Sequence, residues 1–414
     1  MGLLHESAYD FQMPKMYKVV QSFDDTHISD VTKAVKSEFA KPNISSRIKP
    51  GMKVAAAVGS RGINNLKEIV TAVVEEIKAL NAEPVIVPSM GSHGTATAEG
   101  QLKVLEGYGI TEDMVGAPII SSMEVVNIGK TSGGVPVLTD KFAHSCDLIV
   151  PIVRIKPHTD YKAEIESGIC KMITIGLGNH EGCSTYHQQG FSRFGKLLPE
   201  AAKIVIDNTK IGFSVSIVEN AYDKTYILEA VPAEDTLLRE PQLLKVAKER
   251  MPSIMVPNID VLIIDKIGKD ISGAGMDPNI IGRTARGPIE GFAGPTIQRI
   301  VVKSISPASH GNACGIGEAD FILESCLKEI DISATAVNSI ASGSPEGGRI
   351  PICVSDIKEG VIASLKTCID IDYQKPKIVR IESTLSLGEI YISEGLLQEV
   401  NNNPLLSVLE GEKV

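Results

Sequence analysis

Between residues 156 and 187 the chain reads "KPHTDYKAEIESGICKMITIGLGNHEGCSTYH", gathering His158, Lys171, His180, Cys183 and His187 into one stretch. Three of the eight histidines fall here, with Lys171 among them at the end of "SGICK". Imidazole gives and takes protons near neutral pH and also binds metals, and thiolate suits zinc or nickel. A lysine amine adds a third chemistry, covalent attachment to an electrophilic carbon. The spacing of His180, Cys183 and His187 reads either as a metal cluster or as a helix start with exposed histidines. No zincin helix motif accompanies it.

Further reactive side chains lie outside this stretch. His93 sits in "GSHGTATAEG", a small-residue loop before a helix, Arg61 in "VGSRG", and His310 in the glycine-rich "ASHGNACGIGEAD". "GKTSGG" (129–134) is not a phosphate loop, because Glu124 stands where that motif requires glycine; it reads as a turn between two strands. "GAGMDPNIIG" has no following helical pattern at dinucleotide-fingerprint spacing.

These residues need elements to position them. "KVAAAVG" is a continuous apolar run, the pattern of a strand buried on both faces. In "NNLKEIVTAVVEEIKAL" the residues Leu66, Ile69, Val70, Val73, Val74, Ile77 and Leu80 form one helical stripe, with Asn64 or Asn65 as N-cap. "EPVIVPS" is the next strand, so the unit is a βαβ crossover with parallel strands. "TAEGQLKVLEGYG" reads as a short helix, "VPVLTDKFAHSC" as containing another, and "DLIVPIVRI" as a buried strand. In open parallel sheets ligands sit beyond the carboxyl ends of the strands. Arg61, His93 and His158 each follow a strand and so share one rim.

A second α/β unit begins near Ile259. Strands are read in "IDVLIIDKIG", "IQRIVVKSIS", "KIVRIES" and "EIYIS", and helices in "ADFILESCLKEI" and "SDIKEGVIASLKTC". "KERMPSIMVPN" is the domain boundary. The expected organisation is an N-terminal α/β domain over 1–252, a C-terminal α/β domain over 257–394 and a tail, 395–414, that is helical and then frays, packing back on the N-terminal domain. The sheets are largely parallel and the site lies in the interdomain cleft.

With 414 residues, 43% hydrophobic and 22% charged, the chain is globular and long enough for two cores. A net charge of −10 and the absence of a long Lys/Arg run argue against nucleic acid. The start lacks a signal-peptide pattern, Glu6 occupies the myristoylation Ser/Thr position, and no apolar run is long enough to span a membrane. Seven scattered cysteines are no disulfide framework. A cytoplasmic protein acting on small molecules is expected.

The order and spacing of these segments resemble the nickel-dependent lactate racemase family, hydroxyacid racemases and epimerases that use a nickel-pincer nucleotide. "VGSRG" resembles its early arginine loop, "GSHGTATAEG" its first histidine segment, and "GKTSGGVPV…DLIVPIVRIKPH" the stretch leading to its second histidine. "SGICK" and "STYH" resemble the lysine and histidine that follow. The resemblance implies that His93 and His158 are the paired bases and that His187 is the protein ligand to nickel, with His180 as a rival. Lys171 tethers the cofactor, helped by Ser60 and Arg61, and Arg61 orients the substrate. Such enzymes move a hydride from the hydroxyl-bearing carbon to the cofactor and return it to the opposite face, and they depend on separate cofactor maturation enzymes.

The chain also departs from the family. Val58 stands where the family has an aspartate, the segment from His158 to Lys171 is longer, and the family tryptophan and carboxylate-binding lysine have no counterpart. Lys269, Arg283 or Arg286 is a candidate replacement for that lysine. The implied substrate is an anionic 2-hydroxyacid, lactate-like or a larger sugar acid. Two other readings of the same residues are a zinc hydrolase or lyase, with Glu164, Glu166 or Glu181 as its base, and a non-catalytic binding protein.

Overall fold

The computed structural model describes residues 10–59, 62–287, 290–292 and 294–412. The chain forms two compact units, one of residues 24–251 and one of residues 1–23 together with 252–414. The N-terminal strand β1 (Met16–Gln21) therefore belongs with the second half of the chain. This corrects the expected limits of the N-terminal domain. The reason is pairing: β1 is hydrogen-bonded on both edges by strands that come from the end of the sequence.

The 24–251 unit is built on β2 (Lys53–Val58), β3 (Glu83–Pro88), β6 (Leu148–Arg154), β7 (Phe213–Glu219) and β8 (Thr225–Pro232), in the order β3-β2-β6-β7-β8. All neighbours are parallel except the last pair. The helix Leu66–Ala79 makes the crossover between β2 and β3 and buries the stripe read from the sequence, although Leu80 lies just beyond its end. Asn65 precedes it in a left-handed conformation, and its side chain makes no capping hydrogen bond. Pleating sorts the side chains of β2 between two cores: Val54, Ala56 and Val58 face one, Ala55 and Ala57 the other. The second core also contains Ile169, Cys170, Met172, Ile173, Tyr186, Phe191 and Phe194. The segment rich in chemistry is thus anchored by its own apolar residues. Truncating Phe194, fully buried, to alanine is worth about 3–5 kcal/mol.

The turn around "GKTSGG" joins an antiparallel pair, β4 (Val125–Lys130) and β5 (Pro136–Asp140). Part of "VPVLTDKFAHSC" is therefore strand, and the helix in it covers Lys141–Ser145 alone, capped by Asp140.

In the other unit β9 (Asn258–Ile267), β10 (Thr296–Ile305), β11 (Phe321–Leu323), β12 (Ile352–Val354), β13 (Ile378–Ile381), β14 (Glu389–Ser393) and β15 (Leu406–Glu412) join β1. The order is β12-β11-β10-β9-β13-β14-β1-β15. The first five are mutually parallel and the last three antiparallel. Two expectations change here. "ADFILESCLKEI" begins as β11, and its helix starts at Glu324, because the apolar Phe321–Leu323 run is buried in the sheet. The tail forms a short helix, Leu397–Asn401, and then β15, which pairs with β1 rather than fraying. Among the described residues no helix is long and apolar enough to cross a membrane.

Candidate active site

His158 lies in the loop after β6, and that loop is organised around Glu166. The Glu166 side chain is fully buried, and it accepts hydrogen bonds from the His158 amide (2.7 Å), the Ala163 amide (3.2 Å), Lys162 Nζ (3.2 Å) and Lys248 Nζ (2.6 Å). The Tyr161 hydroxyl donates to the Glu166 carbonyl at 2.7 Å, and Lys162 Nζ donates to the His158 carbonyl at 2.8 Å. A buried carboxylate is tolerated when it is paired and hydrogen-bonded in this way. The result is a fixed backbone at His158.

The His158 ring is buried, with centroids 4.6 Å from Tyr161 and 5.6 Å from Phe191. Its Nδ1 accepts from the Asp160 amide at 3.0 Å, and its Nε2 lies 2.9 Å from Lys171 Nζ. Burial, followed by the charges of Lys171, Lys162 and Lys156 and by His187, holds the ring well below the usual imidazole pKa of 6.5. The ring is therefore held in its neutral form.

Lys171 closes a one-turn helix, Ile169–Lys171, that continues into a π-helix over Met172–Gly176. The Leu177 amide bonds the Met172 carbonyl at 2.9 Å, the wide turn that recurs at functional sites. Glu240 stands at the start of this element, fully buried, its Oε2 accepting the Cys170 amide at 2.8 Å. Its Oε1 is buried without a hydrogen-bond partner and packs where only glycine fits, since a Cβ on Gly168 would sit 2.3 Å from it. Burial raises the Glu240 carboxyl to about 7, against the opposing hydrogen bonds from Cys170 and Ile169. The adjacent Cys170 thiol is pushed well above its ordinary range by burial and by Glu240.

The loop after β3 docks on this π-turn. The Gly91 amide donates to the Gly176 carbonyl at 3.1 Å and Ser89 Oγ to the Met172 carbonyl at 3.3 Å. His93 follows in the same loop, exposed, its amide donating to the Met90 carbonyl. Next to it, Ser92 Oγ accepts from Cys183 Sγ at 3.4 Å, and Cys183 Sγ lies 3.3 Å from His187 Nδ1. Cys183 and His187 are four residues apart on the helix Asn179–His187 and therefore on one face. Burial pushes the Cys183 thiol up, but His187 and Ser92 outweigh it and leave the thiol below its usual range. The His187 ring packs on Phe191 and Phe194 at 5.6 and 5.8 Å. Phe191 is thus an aromatic wall shared by His158 and His187.

The structure brings together His158, Lys171 and His187, and joins the His93 loop to them through Ser89, Gly91 and Ser92. His180 is exposed, as are Glu164 and Glu181. Ser60 and Arg61 lie outside the described residues. Lys269 and Arg283 belong to the other unit, where Lys269 Nζ donates to the Gly273 carbonyl and Arg283 pairs with Asp320 at 2.5 Å. Arg286, also there, donates to the Gly343 carbonyl and lies 3.6 Å from Glu346. Among the described residues no group of three or more His, Cys, Asp or Glu is arranged to hold a metal ion. Glu240 was missed in the sequence, but a signal exists. It occupies one position of an otherwise mostly apolar buried stripe, Thr236, Glu240, Leu243, Leu244 and Ala247.

Residues 8–195 match the family described as the lactate racemase N-terminal domain. The N-terminal part of the chain therefore resembles the lactate racemase N-terminal domain. Two solved structures share the fold. The lactate racemase apoprotein from Thermoanaerobacterium thermosaccharolyticum is 13% identical, with a TM-score of 0.51 over 89% of this chain and 99% of that one. A structural-genomics protein from Thermotoga maritima is 12% identical, with a TM-score of 0.52 over 86% and 96%. No curated protein matches the sequence.

Proposed function

We propose that the protein is an isomerase that racemises or epimerises a 2-hydroxyacid with a nickel-pincer nucleotide. The observation that carries this reading is the pairing of a neutral buried imidazole with a lysine amine, His158 Nε2 to Lys171 Nζ, 2.9 Å, beside the imidazole of His187. The donor set suits the nucleotide. One imidazole cannot complete a metal's coordination shell, so it fits a metal whose remaining ligands arrive with an organic group, for which the amine is an attachment point. A zinc hydrolase needs three protein ligands, and among the described residues no such cluster exists.

When bound, the nucleotide supplies a hydride acceptor, which the chain's own side chains do not offer. His187 would hold the nickel and Lys171 would be the point of attachment. His158 would take the hydroxyl proton from one stereoisomer, its low basicity keeping it unprotonated at working pH. His93 would serve the other stereoisomer from the opposite loop. Arg61 would orient the substrate.

The test uses protein coexpressed with the cofactor maturation enzymes. Near-stoichiometric nickel, an added mass mapping to Lys171, and interconversion of a hydroxyacid stereoisomer pair are expected. Lys171→Ala should lose the added mass. Matured protein holding zinc and an unmodified Lys171 would refute the reading.

A further inference from the structure

Cys183 has no part in the chemistry above, yet it is the link between His187 and the His93 loop. It is buried, 4% exposed, with its sulfur 3.3 Å from His187 Nδ1 and 3.4 Å from Ser92 Oγ. On a third side it faces the loop backbone: a Cβ placed on Gly91 would lie 3.4 Å from both Cβ and Sγ of Cys183, ordinary contact distance. A smaller apolar side chain at 183 would leave Nδ1 without this neighbour.

We propose that Cys183 is a positioning residue that fixes the tautomer and orientation of His187. A neutral imidazole carries one N–H. Sγ donates its own proton to Ser92 Oγ, which leaves its lone pairs to accept that N–H from Nδ1. The hydrogen therefore resides on Nδ1, and Nε2 presents its lone pair to a metal. Metal-bound histidines are commonly set in this way by the partner of their other nitrogen. The role rests on the reading of His187 as the nickel ligand, but the tautomer does not. Ser92 extends the chain of contacts to the residue preceding His93, so the ligand and one of the two bases are braced through a single sulfur.

The experiment is long-range 1H–15N correlation of the full-length, metal-free protein labelled with 15N-histidine, with the His187 signals assigned by their loss in His187→Gln. The wild type should show the Nδ1–H tautomer. Cys183→Ser, whose hydroxyl also accepts, should retain it, and Cys183→Ala should revert to Nε2–H. In matured protein, Cys183→Ala should release nickel to a chelator about tenfold faster than wild type, with Cys183→Ser near wild type. Finding wild-type His187 as Nε2–H overturns the proposal without any need for a folded variant, and so does an unchanged tautomer in Cys183→Ala. Full nickel retention in His187→Ala would sink the ligand reading instead, while leaving the tautomer result in place.

Discussion

The Nε2 atom of His158 lies 2.9 Å from the Nζ atom of Lys171, joining the rim loop after β6 to the residue that immediately precedes a π-helix. A base and an amine so close, on a ring flanked by Tyr161 and Phe191, disfavour two positive charges at once. The imidazole is the group that yields.

Its depressed pKa has a direct consequence for pH dependence. The folded value lies below the ordinary 6.5, so the unfolded chain binds a proton at His158 that the folded chain refuses. This contribution lowers stability as pH falls through 6.5 and is absent above it. His158→Gln should remove that loss, seen as a smaller drop in the urea midpoint between pH 7 and 5. In the matured enzyme the same variant should lower kcat by about 10²–10⁴-fold. The acidic limb of wild-type turnover should fall well below pH 6.5, and a limb at 6.5 or above would contradict the assignment of His158 as the base.

Glu240 predicts the opposite slope. Its folded pKa of about 7 exceeds the ordinary 4.5, so the folded chain holds the extra proton between those values. The stabilisation is complete below pH 4.5 and lost as pH rises through 7. The shift corresponds to about 3 kcal/mol. The stability of wild type relative to Glu240→Gln should decline by that order from pH 4.5 to pH 7.5, measured by denaturant unfolding. A flat difference would show that the carboxyl is not held protonated.

Glu166 is the charge on which the His158 loop depends. Glu166→Gln leaves Lys162, whose side chain is 9% exposed, without its carboxylate and should cost about 3 kcal/mol of unfolding free energy. Lys248→Met removes a partner whose side chain is 40% exposed and should cost under about 1 kcal/mol. Equal losses from the two variants would mean that burial does not govern the cluster.

Local patterns carried much of this structure in the sequence. The run "KVAAAVG", the stripe from Leu66 to Ile77 and the strand at "EPVIVPS" define a parallel crossover by periodicity alone, and they place His93 on the same rim as His158. The crowding of His158, Lys171 and His187 into one short stretch was likewise legible, and the structure places them in one neighbourhood around Phe191. What was not readable depends on distant partners. Nothing near Met16–Gln21 shows that its neighbours are Glu389–Ser393 and Leu406–Glu412. The tail looked frayed because the pattern of β15 acquires meaning only beside β1. Cys183 looked spare until helix geometry set it between Ser92 and His187.

The placement of β1 also governs how the molecule can be made. As the chain leaves the ribosome, residues 24–251 contain every strand of their own sheet and can fold as soon as they emerge. The first strand cannot. Its partners β14 and β15 follow the whole 24–251 unit in the chain, so β1 keeps both hydrogen-bonding edges open until they have been made. Closing that sheet pairs Met16–Gln21 with Glu389–Ser393 and Leu406–Glu412, contacts of long sequence separation and correspondingly slow to form. The sheet that begins with β1 is thus the later of the two to close.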